Sequence, residues 1–303
     1  MKTPYSDQVH LLVNLLPIVG KQPCFALKGG TAINLFVRDM PRLSVDIDLA
    51  YLPIEGRDES LGGIDTGLGN IVGDIEKYIP RAQVTAMKLK GTDKRYRLLV
   101  QQGTTHVKVE VTPVLRGSVY QSQTRRISDN AEKIFGFASI TLLSFEDLFA
   151  GKICASLDRQ HPRDLYDTYW LLQHEGITEA LKNAFMVYLM GHNRPMAELQ
   201  APQCQDISPL YLTEFEGMAF KPVDLKKLKD TLPKLITQIH NALNDDDRRF
   251  LLDLKLGNED WKKFPIPEVQ MLPAIQWKML NLARMNSDKR RKSAYKLEKI
   301  LFG

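Results

Sequence analysis

Lys28-Gly29-Gly30-Thr31, then a short apolar helix, then Arg42-Leu43-Ser44-Val45-Asp46-Ile47-Asp48-Leu49: the fold is decided by how these two segments are read together. The second has strand character. Side chains at i and i+2 of a strand face the same way, roughly 6.5–7 Å apart. Val45, Ile47 and Leu49 therefore share one face, and Ser44, Asp46 and Asp48 share the other. Aspartate is depleted in strands, and like charges on one face repel. The pair calls for a compensating positive charge, and a divalent cation is the economical candidate. A Gly-Gly turn before a hydroxyl residue lets backbone approach a triphosphate closely, with amides and Thr31 donating. An ordinary turn is the competing account of the glycines taken alone.

The alternation continues downstream. Val84 to Leu89 and Tyr96 to Val100 read as a hairpin about Gly91-Thr92-Asp93, and His106 to Thr112 reads as a strand ending at Pro113. In that last strand Glu110 lies opposite Val107, Val109 and Val111. If it neighbours the aspartate strand, Glu110 adds a third carboxylate on the same side. Carboxylates with phosphate oxygens suit Mg²⁺, which takes octahedral oxygen coordination with few protein ligands. A solvated face shared with His106 and Lys108 is the alternative. Residues 54 to 70 are glycine-rich and read as a loop or a late helix start, with Ile71 to Ile79 helical. Thr31 reads as the cap of a helix over Ala32 to Val37. Beyond about residue 142 the pattern is helical, punctuated by Pro162, Pro195, Pro202, Pro222 and Pro233.

At 303 residues the chain accommodates two domains, and a net charge of +5 tolerates a polyanionic partner without demonstrating one. Three scattered cysteines, with no C-x-x-C pair, fit reduced thiols in a cytosolic protein rather than a zinc site. Neither a signal peptide at Met1 to Tyr5 nor a membrane-length apolar run is expected. P-loop, G-x-G-x-x-G, G-x-S-x-G and H-E-x-x-H patterns are missing, which removes support for Walker ATPase, Rossmann, serine hydrolase and zinc protease readings.

Two helical blocks carry further candidates. Ser144-Phe145-Glu146-Asp147 is a capping-box-like start. In the helix it opens, Lys152 projects from the face of Phe145, Leu148 and Phe149, so it either snorkels or meets an anion. If the ammonium is a lone charge on that face, its replacement by methionine should leave stability intact or improved. Arg159 to Asp167 leads into a second helix with Pro162 in its first turn. Asp164 and Asp167, read from the residues alone, are dipole-complementing and structural. The basic run Ser287-Asp288-Lys289-Arg290-Arg291-Lys292, with Lys296 and Lys299, is either a solvated helix face or a phosphate contact.

Together these blocks resemble the AbiEii/AbiGii-type nucleotidyltransferase toxins of the DNA polymerase β-like superfamily, to which the mycobacterial MenT toxins are related. Leu27, Gly29-Gly30 and Asp46-x-Asp48 match the superfamily motif. Glu146 to Ala155 matches the family's lysine-bearing helix, and Arg159, Arg163, Asp164 and Asp167 match its Arg-x-x-x-Arg-Asp-x-x-Asp element. Leu272-Pro273-Ala274-Ile275-Gln276-Trp277-Lys278 through Leu282 also looks like members of this family. Two features depart from the superfamily pattern: fifteen residues separate Gly30 from Asp46, and the third carboxylate is Glu110 rather than aspartate.

The resemblance implies an α+β fold, with a small mixed-sheet nucleotidyltransferase domain over 1–140. A helical domain over 141–303 would contribute Lys152 and Asp164 to the active site. It implies transfer of a nucleoside monophosphate from an NTP. Asp46, Asp48, Lys152 and Asp164 would be catalytic, and Gly29, Gly30, Thr31, Ser44 and Lys152 would hold nucleotide. Asp46, Asp48 and Glu110 would bind Mg²⁺ or Mn²⁺, and Asp167, Arg159 and Arg163 are further candidates. A cognate antitoxin and an RNA acceptor, tRNA first, are implied in the same way. The competing readings are a transferase acting on a small molecule or protein hydroxyl, and a nucleotide-binding regulator without catalysis.

Overall fold

The computed structural model describes residues 5–303. Met1 to Pro4, on which part of the signal-peptide expectation rests, lie outside the described residues. The chain divides into two compact units. One runs to Leu148 and takes in Glu216–Pro222; the other comprises Phe149–Phe215 and Val223–Gly303. The division falls inside a helix rather than at 140/141.

The first unit is built on a seven-stranded mixed sheet. Its elements run α1 (Ser6–Val19), β1 (Phe25–Lys28), α2 (Gly29–Ala32), a π-helical turn (Ile33–Val37), β2 (Asp46–Tyr51), α3 (Arg57–Tyr78), β3 (Ala82–Lys88), β4 (Arg95–Gln102), β5 (Thr105–Arg116), β6 (Gln123–Arg126), α4 (Asp129–Phe135) and β7 (Ser139–Leu142). The sheet order is β3-β4-β5-β2-β1-β7-β6. Alternation sorts its two faces. Ile47, Leu49, Leu98, Val100, Val107, Val109 and Val111 are fully buried, and α1 and α3 pack on the sheet. The residues between them form a polar face.

The glycine-rich segment 54 to 70 is not a loop. Helix α3 spans 22 residues from Arg57. Glycine disfavours a helix interior by up to about 1 kcal/mol per residue relative to alanine, but here it permits close packing on the sheet. A Cβ on Gly67 would stand 2.7 Å from the Phe25 ring, and one on Gly63 would overlap the Tyr51 hydroxyl. Gly67→Ala should therefore destabilise the protein by about 1–3 kcal/mol, the usual cost of overpacking, despite alanine's better helix propensity. Urea unfolding checks this, and a neutral or stabilising result would contradict the packing account.

Strand β5 also runs past Pro113. Leu49 pairs with Val111 but Tyr51 pairs with Arg116, so the ladder bulges. Pro113 lies in that bulge, where its missing N–H is tolerated.

The second unit is helical. Helix α5 (Phe145–Asp158) continues into it, followed by α6 (Pro162–His174), α7 (Glu179–Gly191), α8 (Met196–Gln200), α9 (Ser208–Glu214), α10 (Leu225–Ala242), α11 (Asp245–Leu256), α12 (Pro273–Ala283) and α13 (Ser287–Phe302). Helix α6 packs on α10, α7 on α12, and α11 on α13. Pro233 does not end a helix as its sequence position suggests; it sits within α10 on an exposed position, where water can satisfy the carbonyl it leaves unpaired. No helix among the described residues is long and apolar enough to cross a membrane. Cys24, Cys154 and Cys204 are free thiols.

Candidate active site

The polar face of the first unit's sheet gathers the acidic candidates. Strands β2 and β5 are parallel neighbours, with Asp46 in register with Lys108 and Asp48 with Glu110. Registered partners on adjacent strands lie roughly 4.8 Å apart. Asp46, Asp48 and Glu110 are thus placed on one face. Lys28 of β1 pairs with Asp48, and Arg97 of β4 pairs with Glu110. One row across the sheet therefore reads Lys28, Asp48, Glu110, Arg97, with Asp46 and Lys108 in the next.

This face carries its own compensating charge. Lys108 Nζ lies 3.7 Å from both Asp46 Oδ2 and Glu110 Oε2, and Arg97 reaches Glu110 at 2.9 Å. The repulsion that pointed to a cation from the sequence is thus met by Lys108 and Arg97. The two Lys108 contacts are long compared with a charge-assisted hydrogen bond of about 2.7–2.9 Å, and the groups are about one-third exposed. The 3.7 Å contact from Lys108 to Asp46 is a loose one. Glu110 is gripped more tightly, by Arg97. No three acidic, histidine or cysteine side chains among the described residues are already gathered at metal-ligand spacing. The donor set nonetheless suits a hard, oxygen-liganded ion, because Asp46 and Asp48 present carboxylates side by side.

The glycine turn is built against these carboxylates. Gly29 has φ +72°, and a Cβ there would lie 2.7 Å from Asp48 Oδ2. Only glycine accommodates both the left-handed backbone and the approach of that carboxylate. A Cβ on Gly30 would lie 2.9 Å from the Arg42 guanidinium and 3.0 Å from Ser44 Oγ. Arg42 is almost fully buried and donates to the Leu43 carbonyl at 2.8 Å. Sequence reading gave it no role. Its own stretch is pinned by Leu43 N–H donating to the Met218 carbonyl, which explains why Glu216–Pro222 belongs to this unit.

Thr31 is not a helix cap. Helix α2 begins at Gly29 with Lys28 before it and no side-chain cap. The buried Thr31 hydroxyl donates to the Asp46 carbonyl at 2.5 Å and shares a 3.0 Å hydroxyl–hydroxyl bond with the buried Ser44. Both hydroxyls thus tie the glycine turn to the start of β2.

The start of α5 matches its sequence signature. Asp147 N–H donates to Ser144 Oγ at 3.0 Å, and the Asp147 carboxylate accepts from Ser144 and from the amides of Val119 and Tyr120. Further along the helix, within the second unit, Lys152 Nζ meets Asp164 Oδ1 at 2.8 Å and Asp167 Oδ2 at 3.1 Å. Arg159 Nε donates to Asp164 Oδ2 at 2.6 Å. The two carboxylates are 1% exposed and Lys152 is 7% exposed. Lys152 is therefore neither a snorkelling cation nor a lone charge, and removing it takes an ion-pair partner from two buried carboxylates. Burial pushes the Asp164 carboxyl up, but Lys152 and Arg159 together outweigh burial and hold it well below the usual carboxylate range. Asp167, the lesser candidate in the sequence, shares Lys152 with Asp164. Arg163 is turned elsewhere, 3.5 Å from Glu214.

Comparison with known proteins bears on this geometry. The family described as "Nucleotidyl transferase AbiEii toxin, Type IV TA system" matches residues 10–280. Among curated proteins, none matches the chain in sequence. MenT4, a nucleotidyltransferase toxin from Mycobacterium tuberculosis H37Rv, shares the fold with TM-score 0.58 and 16% identity, over 97% of this chain and 93% of that one. JHP933 from Helicobacter pylori aligns with TM-score 0.48 and 16% identity, over 80% of this chain and 94% of that one. The chain belongs to the AbiEii nucleotidyltransferase toxin family of type IV toxin–antitoxin systems.

Proposed function

We propose that the protein transfers a nucleoside monophosphate from an NTP to an RNA hydroxyl, with Asp46 and Asp48 as the protein ligands of Mg²⁺ or Mn²⁺. The carrying observation is that Asp48 lies against Gly29 of a glycine turn whose hydroxyl residue, Thr31, is bonded to the backbone of Asp46. Held by Asp46 and Asp48, such a cation would supply Lewis-acid neutralisation of phosphate charge and would make the attacking hydroxyl a better nucleophile. Gly29 and Gly30 leave the turn without Cβ atoms, so phosphates can approach its amides. Lys108 and Arg97 neutralise the carboxylates in the free protein and are placed to turn toward incoming phosphates. Lys28 stands in the same row. The family resemblance adds Lys152 to these three as a phosphate-neutralising cation, with Asp164, 2.8 Å from it, as the residue that orients it. Lys152, Asp164, Asp167 and Arg159 form an ion-pair network that holds α5 and α6 in place. Glu110 remains a reserve ligand because Arg97 engages it. In the transfer, the acceptor oxygen bonds to the α-phosphorus, the α–β anhydride breaks and pyrophosphate leaves.

Membership of a type IV toxin–antitoxin family implies an antitoxin partner. An RNA acceptor, with tRNA the first candidate, is supported by the basic helix α13, where Lys289, Arg291, Lys292 and Lys296 are exposed. Incubation of the purified protein with each labelled NTP, Mg²⁺ and total RNA should label RNA from one or more NTPs. Label found only in a small molecule or a protein would favour the alternative acceptors. No transfer under any condition would favour the non-catalytic regulator.

A further inference from the structure

Gly30, the second residue of the glycine turn, is packed against an arginine. Arg42 is 2% exposed, and a Cβ on Gly30 would stand 2.9 Å from its guanidinium. An arginine head at the surface would swing aside for a methyl group, but one enclosed in a close-packed interior has nowhere to go. Arg42 Nη1 also donates to the Leu43 carbonyl at 2.8 Å. Ser44 Oγ would lie 3.0 Å from the same Cβ and is bonded to Thr31 Oγ. At its carbonyl, Gly30 accepts from Nδ2 of the buried Asn34 at 2.9 Å. A peptide unit is planar, so holding that carbonyl also fixes the direction of the Thr31 N–H.

The backbone that carries Arg42 is itself pinned within the first unit. Arg42 forms an antiparallel bridge with Ala219. Leu43 N–H donates to the Met218 carbonyl at 2.9 Å, and the N–H groups of Phe220 and Lys221 donate to the Pro41 carbonyl at 2.8 and 3.1 Å. Just before this ribbon, buried Met40 has φ +53° and donates its N–H to the Asn34 carbonyl at 2.9 Å. A left-handed backbone is uncommon outside glycine and persists where the surroundings over-determine it. The segment Glu216–Pro222 therefore holds Arg42 in place, and Arg42 bounds the space open to Gly30.

We propose that Arg42 is a positioning residue for the nucleotide: it holds the Gly30–Thr31 peptide where the turn's amides can meet the NTP phosphates. Arg42 is too enclosed to touch the NTP itself. The inference rests on the transfer reading above, in which those amides receive the triphosphate. A donor ordered before the ligand arrives leaves less ordering to be done on binding, so rigidity in the turn is affinity for phosphate. The turn meets the phosphates in the bound NTP and in the transition state alike. Loosening it should therefore appear in KM rather than in kcat.

The test measures binding and turnover of the full chain side by side. Arg42→Lys keeps a buried cation but loses the planar fork. It should raise the Kd of a non-hydrolysable NTP analogue and the KM for NTP about tenfold, with kcat within about threefold of wild type. Gly30→Ala, which sets a methyl group against the guanidinium, should do the same. In the Arg42→Lys background that methyl meets a smaller head, so Gly30→Ala should cost only about threefold or less; such non-additivity marks residues in contact. An arginine that served stability alone would lower the melting temperature and leave KM and the cycle unmoved. Unchanged analogue affinity in folded Arg42→Lys would overturn the proposal, as would full additivity with Gly30→Ala, or a fall in kcat at unchanged KM. If Arg42→Lys does not fold, Gly30→Ala decides alone, and wild-type analogue affinity in that variant would overturn the proposal. An analogue that fails to bind even wild type would overturn the transfer reading, and this inference with it.

Discussion

Lys152→Met should lose about 3–5 kcal/mol of stability, the usual penalty for removing one partner of a buried ion pair. The lysine is 2.8 Å from Asp164 and 3.1 Å from Asp167, and the two carboxylates are 1% exposed. Methionine fills the stem's space but takes the ammonium away from two carboxylates in a low-dielectric site. Urea unfolding of wild type, Lys152→Met and the triple variant Lys152→Met with Asp164→Asn and Asp167→Asn checks the mechanism. The triple variant should recover part of the loss, because the two buried negative charges are gone with their cation. A Lys152→Met protein as stable as wild type would contradict the network.

Acid should undo the same network. The Asp164 carboxyl is held below its unfolded range. Its contribution is therefore complete above the unfolded value of about 3.9 and is lost as pH falls below that toward the folded value. Unfolding free energy followed from pH 6 to pH 2 should decline more steeply below about pH 4 in wild type than in the triple variant, which lacks these carboxylates.

Asp48→Asn should lower nucleotidyl transfer by about two to three orders of magnitude, the scale for losing one preorganised charge-stabilising group. The fold should remain. Asparagine keeps the shape that lies against Gly29, and one carboxylate leaves a face on which like charges are neighbours. Asp46→Asn should behave similarly, although it also frees Lys108 to serve Glu110 alone. Initial rates with saturating NTP, beside a thermal melt of each variant, separate lost chemistry from lost structure. Near wild-type rates in both variants would remove the carboxylate pair from the chemistry.

The parts of this molecule that were legible in the sequence are those set by local period. Asp46, Asp48 and Glu110 were placed on one side of their strands by period-two alternation, and the register of β2 with β5 brings those sides together. The Ser144–Asp147 capping signal was legible because a cap involves residues three apart. What failed depends on partners distant in sequence. The glycines of α3 look like loop chemistry until Phe25 and Tyr51 are seen against them. Thr31 looks like a cap until the Asp46 carbonyl is found at its hydroxyl. Lys152, on a face with apolar neighbours, reads from the sequence as a lysine that either snorkels or meets an anion, without saying which anion. Its partners lie on the next helix, and Asp164 and Asp167 by themselves read as first-turn acids.

The proposed transfer depends on Asp46 and Asp48 holding a divalent cation beside the glycine turn. Mn²⁺ titration of the purified protein, followed by electron paramagnetic resonance of free Mn²⁺ in the presence of a non-hydrolysable NTP analogue, tests it without relying on turnover. Wild type should show saturable binding that is abolished or weakened at least tenfold in Asp46→Asn and in Asp48→Asn, and little changed in Glu110→Gln. Equal Mn²⁺ binding by wild type and both aspartate variants, all folded, would contradict the account.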